Sequence, residues 1–292
     1  MERTSRERLK GILLVLLAGA SWGVISVFVR VLAAAGIDAM SITALRSEFA
    51  ALALLAAMPF LAPGAFRVRL RDLWCFAGCG IASITLFNLL YFSTLRRTTV
   101  GLAVVLLYTS PVFVTVMSCI FFKERFSIRK LLALVLVTAG CVLVSGFLND
   151  NSAARTGVPV LLMGIGSGFC YALYSIFGRF AQQRGYASHT ITLWSFIFAG
   201  LVAPLMFDWS LAPKIAHSPA LWPAIAGLVA FSTILPYFAY TAGLKLLQPS
   251  TAAIAASIEP VVGTLLGIFL FNESLGWTAL TGMLMILGAM LL

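Results

Sequence analysis

The sequence predicts an all-α integral membrane protein with ten transmembrane helices in two inverted repeats of five helices, with the N- and C-termini cytoplasmic. Three observations predict this fold class. Hydrophobic residues make up 61% of the 292 residues and charged residues only 10%, whereas roughly a quarter of a soluble domain is charged. Long apolar runs divide the chain, and basic residues collect in alternate loops. A constant shift of 149 residues aligns the two halves of the chain without a gap.

Apolar runs bounded by charged residues, Gly or Pro define the predicted spans. A helix needs roughly 20 apolar residues to cross about 30 Å of hydrocarbon. The predicted spans cover about residues 12–34, 40–62, 73–95, 99–122, 128–147, 157–178, 189–207, 219–243, 250–271 and 275–292. They leave only short loops, so no separate soluble domain is expected. The first run is longer than the apolar core of a signal peptide, which indicates a retained helix.

The excess of ten positive charges could suggest a nucleic-acid partner, but nucleic-acid footprints concentrate on one face of a domain. Here the basic residues lie in loops. Fourteen of the 20 Lys and Arg residues fall on the side of the N-terminus, five on the opposite side, and Arg46 inside a span. The positive-inside rule therefore predicts cytoplasmic termini. We expect the lipid bilayer as a partner and no nucleic acid.

The self-similarity of the chain divides it into repeats at residues 1–147 and 157–292. Because each repeat has an odd number of spans, the second must enter the membrane upside down relative to the first. In transporters, such repeats meet around a site near the bilayer midplane, and rocking one against the other alternates access. The paired residues at this shift include Arg30 with Arg179, Tyr91 with Tyr240, Pro111 with Pro260, and Glu124 with Glu273.

Two motifs in the fourth and ninth spans resemble a known family. They read Tyr108-Thr-Ser-Pro111-Val-Phe with Phe122-Lys-Glu124-Arg-Phe-Ser127, and Ser257-Ile-Glu259-Pro260-Val with Phe271-Asn-Glu273-Ser. The pattern looks like the EamA family of the drug/metabolite transporter superfamily and is similar to its bacterial exporters of amino acids and metabolites. This resemblance implies eight helices around a central cavity, with the fifth and tenth peripheral. It also implies a bacterial inner (plasma) membrane location, and no cofactor, ATP or covalent chemistry.

The expected function is a secondary transporter that exports amino acids or similar small metabolites by alternating access. The small-molecule substrate would be an amino acid, and proton coupling is an open option. In a second interpretation, a transporter with the same fold carries cationic drugs, polyamines or nucleotide sugars. The oligomeric state is left open, as a monomer or an unknown oligomer.

Other function classes fit the sequence less well. A membrane-embedded enzyme needs a nucleophile, base or metal constellation. The two histidines, His189 and His217, lie in or near loops, and no paired carboxylates share a helix face. The five cysteines lie in apolar runs, so no metal site is expected. A channel would show a ring of like charges or a carbonyl filter motif, and neither is visible.

Three charged residues lie deep inside predicted spans: Arg46, Glu48 and Glu259. Glu48 is two residues from Arg46 and so on a different helix face, which argues against a pair between them. Glu259 is about nine residues into span nine, hence roughly 14 Å deep. It would anchor a substrate amine or bind a coupling proton, unless it is a structural carboxyl held by a hydroxyl or at the Pro260 kink. Arg46 is roughly 9 Å deep, where it would reach Glu259 or a substrate carboxylate, or snorkel to the interface. A matched pair of interrupted helices, marked here by Pro111 and Pro260, is a sequence pointer to the binding site.

Polar and aromatic residues complete the predicted site. Pairs three residues apart share a helix face, so they can line a cavity together. Tyrosine and tryptophan could instead form the interfacial aromatic belt, and Trp22 could face lipid. The remaining candidates for substrate binding are Trp22, Asn88, Tyr91, Tyr108, Ser110, Tyr171, Tyr174, Tyr237, Tyr240 and Ser257.

Overall fold

Helices make up most of the part of the protein that a computed structural model describes, residues 5–149 and 156–292, and no β-strand occurs in these residues. Arg3 and Arg155, two of the charges used to predict orientation, lie outside the described residues. The helices of the first half are α1 (Ser5–Gly23), α2 (Ile25–Ala34), α3 (Ala39–Leu61), α4 (Leu73–Ala77), α5 (Leu86–Leu95), α6 (Val100–Leu107), α7 (Ser110–Phe122) and α8 (Ile128–Val144). Those of the second half are α9 (Val158–Gln183), α10 (Ser188–Val202), α11 (Ala212–Ala216), α12 (Trp222–Val229), α13 (Leu235–Leu246), α14 (Pro249–Ala256), α15 (Glu259–Phe271) and α16 (Trp277–Ala289).

Eight helical segments of the described chain are long and apolar enough to cross a membrane. They are Ser5–Ala34, Ala39–Leu61, Leu70–Leu95, Val100–Phe122, Val158–Gln183, Ser188–Leu205, Pro219–Leu246 and Pro249–Phe271. Each overlaps a predicted span. The other two predicted spans correspond to α8, with 17 residues, and α16, with 13 residues. At 1.5 Å per residue α16 covers only about 20 Å, so the count of ten spans stays a prediction, as does the position of the termini.

Backbone irregularities recur at the shift of 149 residues. Lys123 and Asn272 both adopt the left-handed conformation, with φ of 53° and 54°, at the ends of α7 and α15. A left-handed residue is a common way to end a helix. Two π-helical stretches, Gly78–Thr85 and Ala230–Ile234, join α4 to α5 and α12 to α13. These recurrences support the division into two repeats, which itself stays a prediction.

Helices α8 and α16 pack mainly against each other, at one side of the other helices. A Cβ atom built on Gly140 would lie 2.7 Å from the Gly282 carbonyl oxygen, and one on Gly282 would lie 2.5 Å from the Gly140 carbonyl oxygen. Glycine at both positions therefore allows the two backbones to touch. Their apolar cluster is separate from the main core, which is built around α1, α3, α10 and α13. This arrangement agrees with a peripheral position for the fifth and tenth predicted spans.

A carboxylate caps the start of α3. Asp38 accepts hydrogen bonds from the backbone N–H groups of Met40 at 3.0 Å and Ser41 at 3.2 Å. Burial by itself would raise the pKa of Asp38, but these bonds and the bond from the Ser41 hydroxyl outweigh it, so the pKa is lowered from its usual value. The ionised cap therefore stabilises the fold.

We expect Asp38→Ala to lower the free energy of unfolding by about 1 kcal/mol, the usual cost of a lost N-cap. Asp38→Asn keeps an acceptor and serves as the matched control. Because the folded-state pKa of Asp38 is lowered, the stability advantage of the native chain over Asp38→Asn is present above the unfolded-state pKa and is lost as the pH falls through the folded-state value. Thermal unfolding in detergent at neutral and acidic pH measures both effects. Equal midpoints for the native chain and Asp38→Ala at neutral pH would contradict the cap.

Candidate functional site

Two interrupted helices meet in the middle of the bundle. Helix α6 ends at Leu107 and α7 begins at Ser110, while α14 ends at Ala256 and α15 begins at Glu259. The two breaks are related by the shift of 149 residues. Each interruption spans two residues whose backbone stays near helical, with ψ of 10° at Tyr108 and 6° at Ser257, and it lies next to a proline for which a kink is predicted. Pro111 and Pro260 each occupy the first turn of the new helix, where the missing N–H costs little.

A glycine from the opposite half presses against each break. A Cβ atom on Gly19 in α1 would lie 2.6 Å from the carbonyl oxygen of Ala256. A Cβ atom on Gly168 in α9 would lie 2.9 Å from the carbonyl oxygen of Leu107. Both glycines and both carbonyl groups are related by the same shift. Glycine at these positions allows both helices to approach the interrupted helices closely.

Two adjoining cavities lie beside the breaks. The first, of about 30 Å³, and the second, of about 180 Å³, share a wall that contains Trp22, Tyr171, Tyr237 and Glu259. The first cavity is also lined by Tyr108, Ser110, Tyr174, Tyr240 and Ser257, and the second by Arg46, Asn88 and Tyr91. The structure thus brings all twelve candidate binding residues to these cavities. A role for them in binding stays a proposal.

Aromatic rings form the shared wall. The Trp22 ring centroid lies 5.5 Å from that of Tyr237 and 6.2 Å from that of Tyr171, both edge to face. Trp22 is therefore in the interior and does not face lipid, which was the alternative. Such edge-to-face pairs add about 0.5–1.5 kcal/mol beyond their buried area. They give the cavities a stiff boundary.

The tyrosines behind this wall have hydroxyl partners. The Tyr174 hydroxyl lies 3.0 Å from Thr241 Oγ1, and the Tyr240 hydroxyl lies 2.6 Å from Ser175 Oγ. Buried phenols usually find such partners. These contacts fix the orientation of both rings at the edge of the first cavity, so Tyr174 and Tyr240 contribute shape as well as polarity.

Glu259 is the first residue of α15, in the middle of an apolar segment. No side chain caps this helix N-terminus, and the partial positive charge of the helix end favours a carboxylate there. The Tyr171 hydroxyl lies 3.5 Å from Glu259 Oε2, at the outer limit of a hydrogen bond. The carboxylate therefore retains capacity for another partner. Ser110 occupies the corresponding position at the start of α7.

Arg46 lies in the wall of the second cavity and does not snorkel to the surface. The residue is only 8% exposed, and its Nε has no hydrogen-bond partner in the described structure. The ion pairs found among the described residues do not include one between Arg46 and Glu259. The predicted contact between the two is therefore absent from the described residues, although both line the same cavity.

The sequence analysis missed several lining residues. Phe87 lines both cavities, Ser83 and Ser175 the first, and Thr43 the second. Phe87 lies four residues before Tyr91 and thus on the same helix face, a signal that could have identified it. Ser175 follows a predicted tyrosine directly, but neither serine has a distinctive sequence pattern.

Glu48 belongs to a different part of the structure. It lines a separate groove with Phe49, Trp209 and Trp222. This placement agrees with the prediction that Arg46 and Glu48 do not pair. Within residues 5–149 and 156–292, no group of three His, Cys, Asp or Glu side chains is arranged to hold a metal ion.

The chain matches a known family along most of its length. The model of the EamA-like transporter family matches residues 9–146 and again residues 158–292. The two matched ranges fall within the two predicted repeats.

Two of the similar proteins are described as a transporter and an exporter. An uncharacterized transporter of Archaeoglobus fulgidus is 30% identical over 95% of this chain and 94% of its own length. The threonine/homoserine exporter RhtA of Escherichia coli K12 is 27% identical over 82% of this chain and 76% of its own length. A crystal structure with 18% sequence identity superposes with a TM-score of 0.77 over 99% of this chain and 96% of the other. That last likeness concerns the fold alone.

We expect Gly168→Ala to destabilise the protein by about 1–3 kcal/mol, because the added methyl group forces α9 away from the break before α7. Gly166→Ala in the same helix is the matched control, since its Cβ would meet only Leu90 Cδ1 at 3.4 Å, an ordinary contact. Thermal unfolding of both purified variants in detergent measures the difference. Equal stability of the two variants would show that the close approach is not required.

Proposed function

Because the chain belongs to the EamA-like transporter family, we propose that it is a secondary transporter that exports amino acids or similar small metabolites by alternating access. The similarity to RhtA, named as an exporter of threonine and homoserine, supports amino acids as the cargo. The proposed location is the bacterial inner membrane, with both termini cytoplasmic.

One observation carries this proposal: a cavity with polar lining lies where the two interrupted helices meet. Broken helices at corresponding positions of two repeats are the usual site of substrate binding in such transporters. Irregular backbone at membrane depth is tolerated where it lines a cavity. The second cavity is bounded by Arg46 and Glu259, two charges that apolar surroundings make costly. A polar solute bound in the cavity would interact with both charges and so offset this cost.

Contacts between the halves at the two ends of the bundle fit alternating access. At one end, Glu124 accepts hydrogen bonds from Lys130, at 3.0 Å, and from the Ser250 hydroxyl, which belongs to the second half. At the other end, Arg30 pairs with Glu273 at 2.6 Å. Glu124 and Glu273 are repeat mates. In the proposed cycle one of these connections breaks as the cavity opens at that end.

A second cargo class is favoured by a specific feature. Trp22, Tyr171 and Tyr237 surround Glu259 at the shared wall, and aromatic faces with a carboxylate attract organic cations. Cationic drugs or polyamines are therefore the alternative cargo. Arg46 separates the two classes, because a cation gains nothing from a neighbouring guanidinium.

We expect purified protein in liposomes to exchange at least one of the twenty common amino acids in a counterflow assay. The internal compartment is loaded with the unlabelled amino acid and uptake of the labelled one is measured. Liposomes without protein are the control, and putrescine and tetraphenylphosphonium represent the alternative cargo. Exchange of the cations with no exchange of any amino acid would overturn the proposed substrate class.

We further propose that Glu259 binds the coupling proton. In Glu259→Gln, the ratio of transport with an imposed pH gradient to transport without one should fall to about one, since the amide does not titrate. Using the ratio separates coupling from any loss of substrate affinity. Glu48→Gln is the matched control, because that carboxylate lines another groove, and it should keep the native ratio. A native ratio in Glu259→Gln would exclude Glu259 as the coupling group.

A further inference from the structure

Two charges of opposite sign, a buried arginine and a half-buried carboxylate, line one cavity without forming an ion pair. Arg46 and Glu259 both line the second cavity, yet no Arg46 nitrogen lies within the 4.0 Å ion-pair distance of the Glu259 carboxylate. The Arg46 side chain is buried with an unpartnered Nε in the described structure. Among the same described residues, Glu259 has only the long hydrogen bond from Tyr171.

Two unpaired charges at this depth raise the free energy of the folded protein unless a third group pairs with them. A charge at the centre of a membrane costs about 2.5–3.5 kcal/mol on translocon scales, and a buried ion is normally offset by a close partner. If the two residues served only to neutralise each other, direct contact would give the lower energy. Both residues instead line a space of about 180 Å³. The space therefore fits a molecule that carries both charges.

We infer that Arg46 binds the carboxylate of the substrate and Glu259 its ammonium group, so that the cavity selects zwitterionic α-amino acids over amines. The inference rests on the proposed function and names the residue that sets its specificity. An α-amino acid carries both charges on one carbon atom, which matches two opposite charges that line one small cavity.

The chemistry of each residue suits its role. The planar guanidinium of Arg46 presents two parallel N–H donors, the arrangement that binds a carboxylate in a bidentate manner. Glu259 lies in the first turn of α15, lines the same cavity and has a carboxylate, the group that pairs with an ammonium ion. Asn88, which lines the same cavity, donates its side-chain N–H to the Ile84 carbonyl oxygen at 2.6 Å. This bond uses one of the two amide N–H groups of Asn88, which is uncharged, so Arg46 is the cationic residue among those that line this cavity.

The same geometry discriminates against the alternative cargo. Polyamines and cationic drugs have no carboxylate, so they would leave Arg46 desolvated and unpaired next to a second positive charge. A site built to bind a polar group rejects analogues that lack it by large factors, because its own buried groups are then left unpaired. The arginine therefore acts as a filter for the carboxylate.

The test measures binding of nine compounds to the purified full-length protein: L-threonine, L-leucine and L-phenylalanine, each as the free amino acid, the methyl ester and the N-acetyl derivative. Ligand-dependent shifts of thermal unfolding, titrated at about pH 6 so that the ester ammonium groups stay charged, give the dissociation constants. We expect at least one free amino acid to bind at least about 30-fold more tightly than its ester and its N-acetyl form.

The variants separate recognition from folding. In Arg46→Gln, the free amino acid should lose at least about 30-fold in affinity and bind no better than its ester. Arg46→Lys keeps the charge and should restore part of the preference. Arg97→Gln removes an exposed arginine that lines neither cavity and should keep the native preference.

The outcomes distinguish a failure of this inference from a failure of the proposed function. If none of the nine compounds binds the native protein, the amino-acid function and the inference both fail. If free amino acids and esters bind equally well, only the role of Arg46 fails. If the folded Arg46→Gln variant keeps the native preference for the free amino acid over its ester, the role of Arg46 is also excluded.

Discussion

The structure depends on the close contact of a glycine-bearing helix with each helix break. Gly19 lies against the end of α14, and Gly168 lies against the end of α6. Only a residue without a side chain leaves room for the backbone carbonyl groups at these points. Because each glycine belongs to the half opposite the break it supports, the two halves hold each other's interrupted helices in place. The cavities exist where this mutual support keeps the helices from closing.

A helix that starts inside the bundle changes the electrostatics of its surroundings. Its first N–H groups have no partner in the helix, and their partial positive charge favours an anion. In the second half Glu259 uses this position, whereas Ser110 occupies it in the first. The same asymmetry holds for Arg46, whose repeat mate Ser195 is buried and donates a hydrogen bond to the Ile191 carbonyl oxygen of its own helix at 2.7 Å. In each pair one position is an uncharged serine, whereas the other, Arg46 in the first half or Glu259 in the second, places a charge at the cavity.

Much of the arrangement could be predicted from the sequence because membrane helices obey strong constraints. Length and hydropathy gave the long spans to within a few residues at most ends, and a proline with a polar neighbour marked each break. Residues three apart on one face, such as Tyr171 and Tyr174, identified the lining. The lack of contact between Arg46 and Glu259 could not be predicted, since it depends on the separation of helices distant in the chain.

The local backbone conformation could not be predicted from the sequence either. The prolines indicate where each helix is interrupted, but the form of the interruption, two residues outside the regular helix, depends on what packs beside it. The π-helical stretch at Gly78–Thr85 has no sequence signature of its own, because an extra residue per turn is favoured only by tertiary packing. Phe87, two residues after that stretch, was missed although it lines both cavities.

The matched backbone of the two halves has an evolutionary consequence. Lys123 and Asn272 hold the same left-handed conformation although their side chains differ. After a duplication, a gene of this design contains each structural position twice, and one copy is enough to hold the shape of the scaffold. The other copy is free to mutate. Ser110 and Glu259 illustrate the result, since two equivalent positions differ in charge while each is the first residue of its helix.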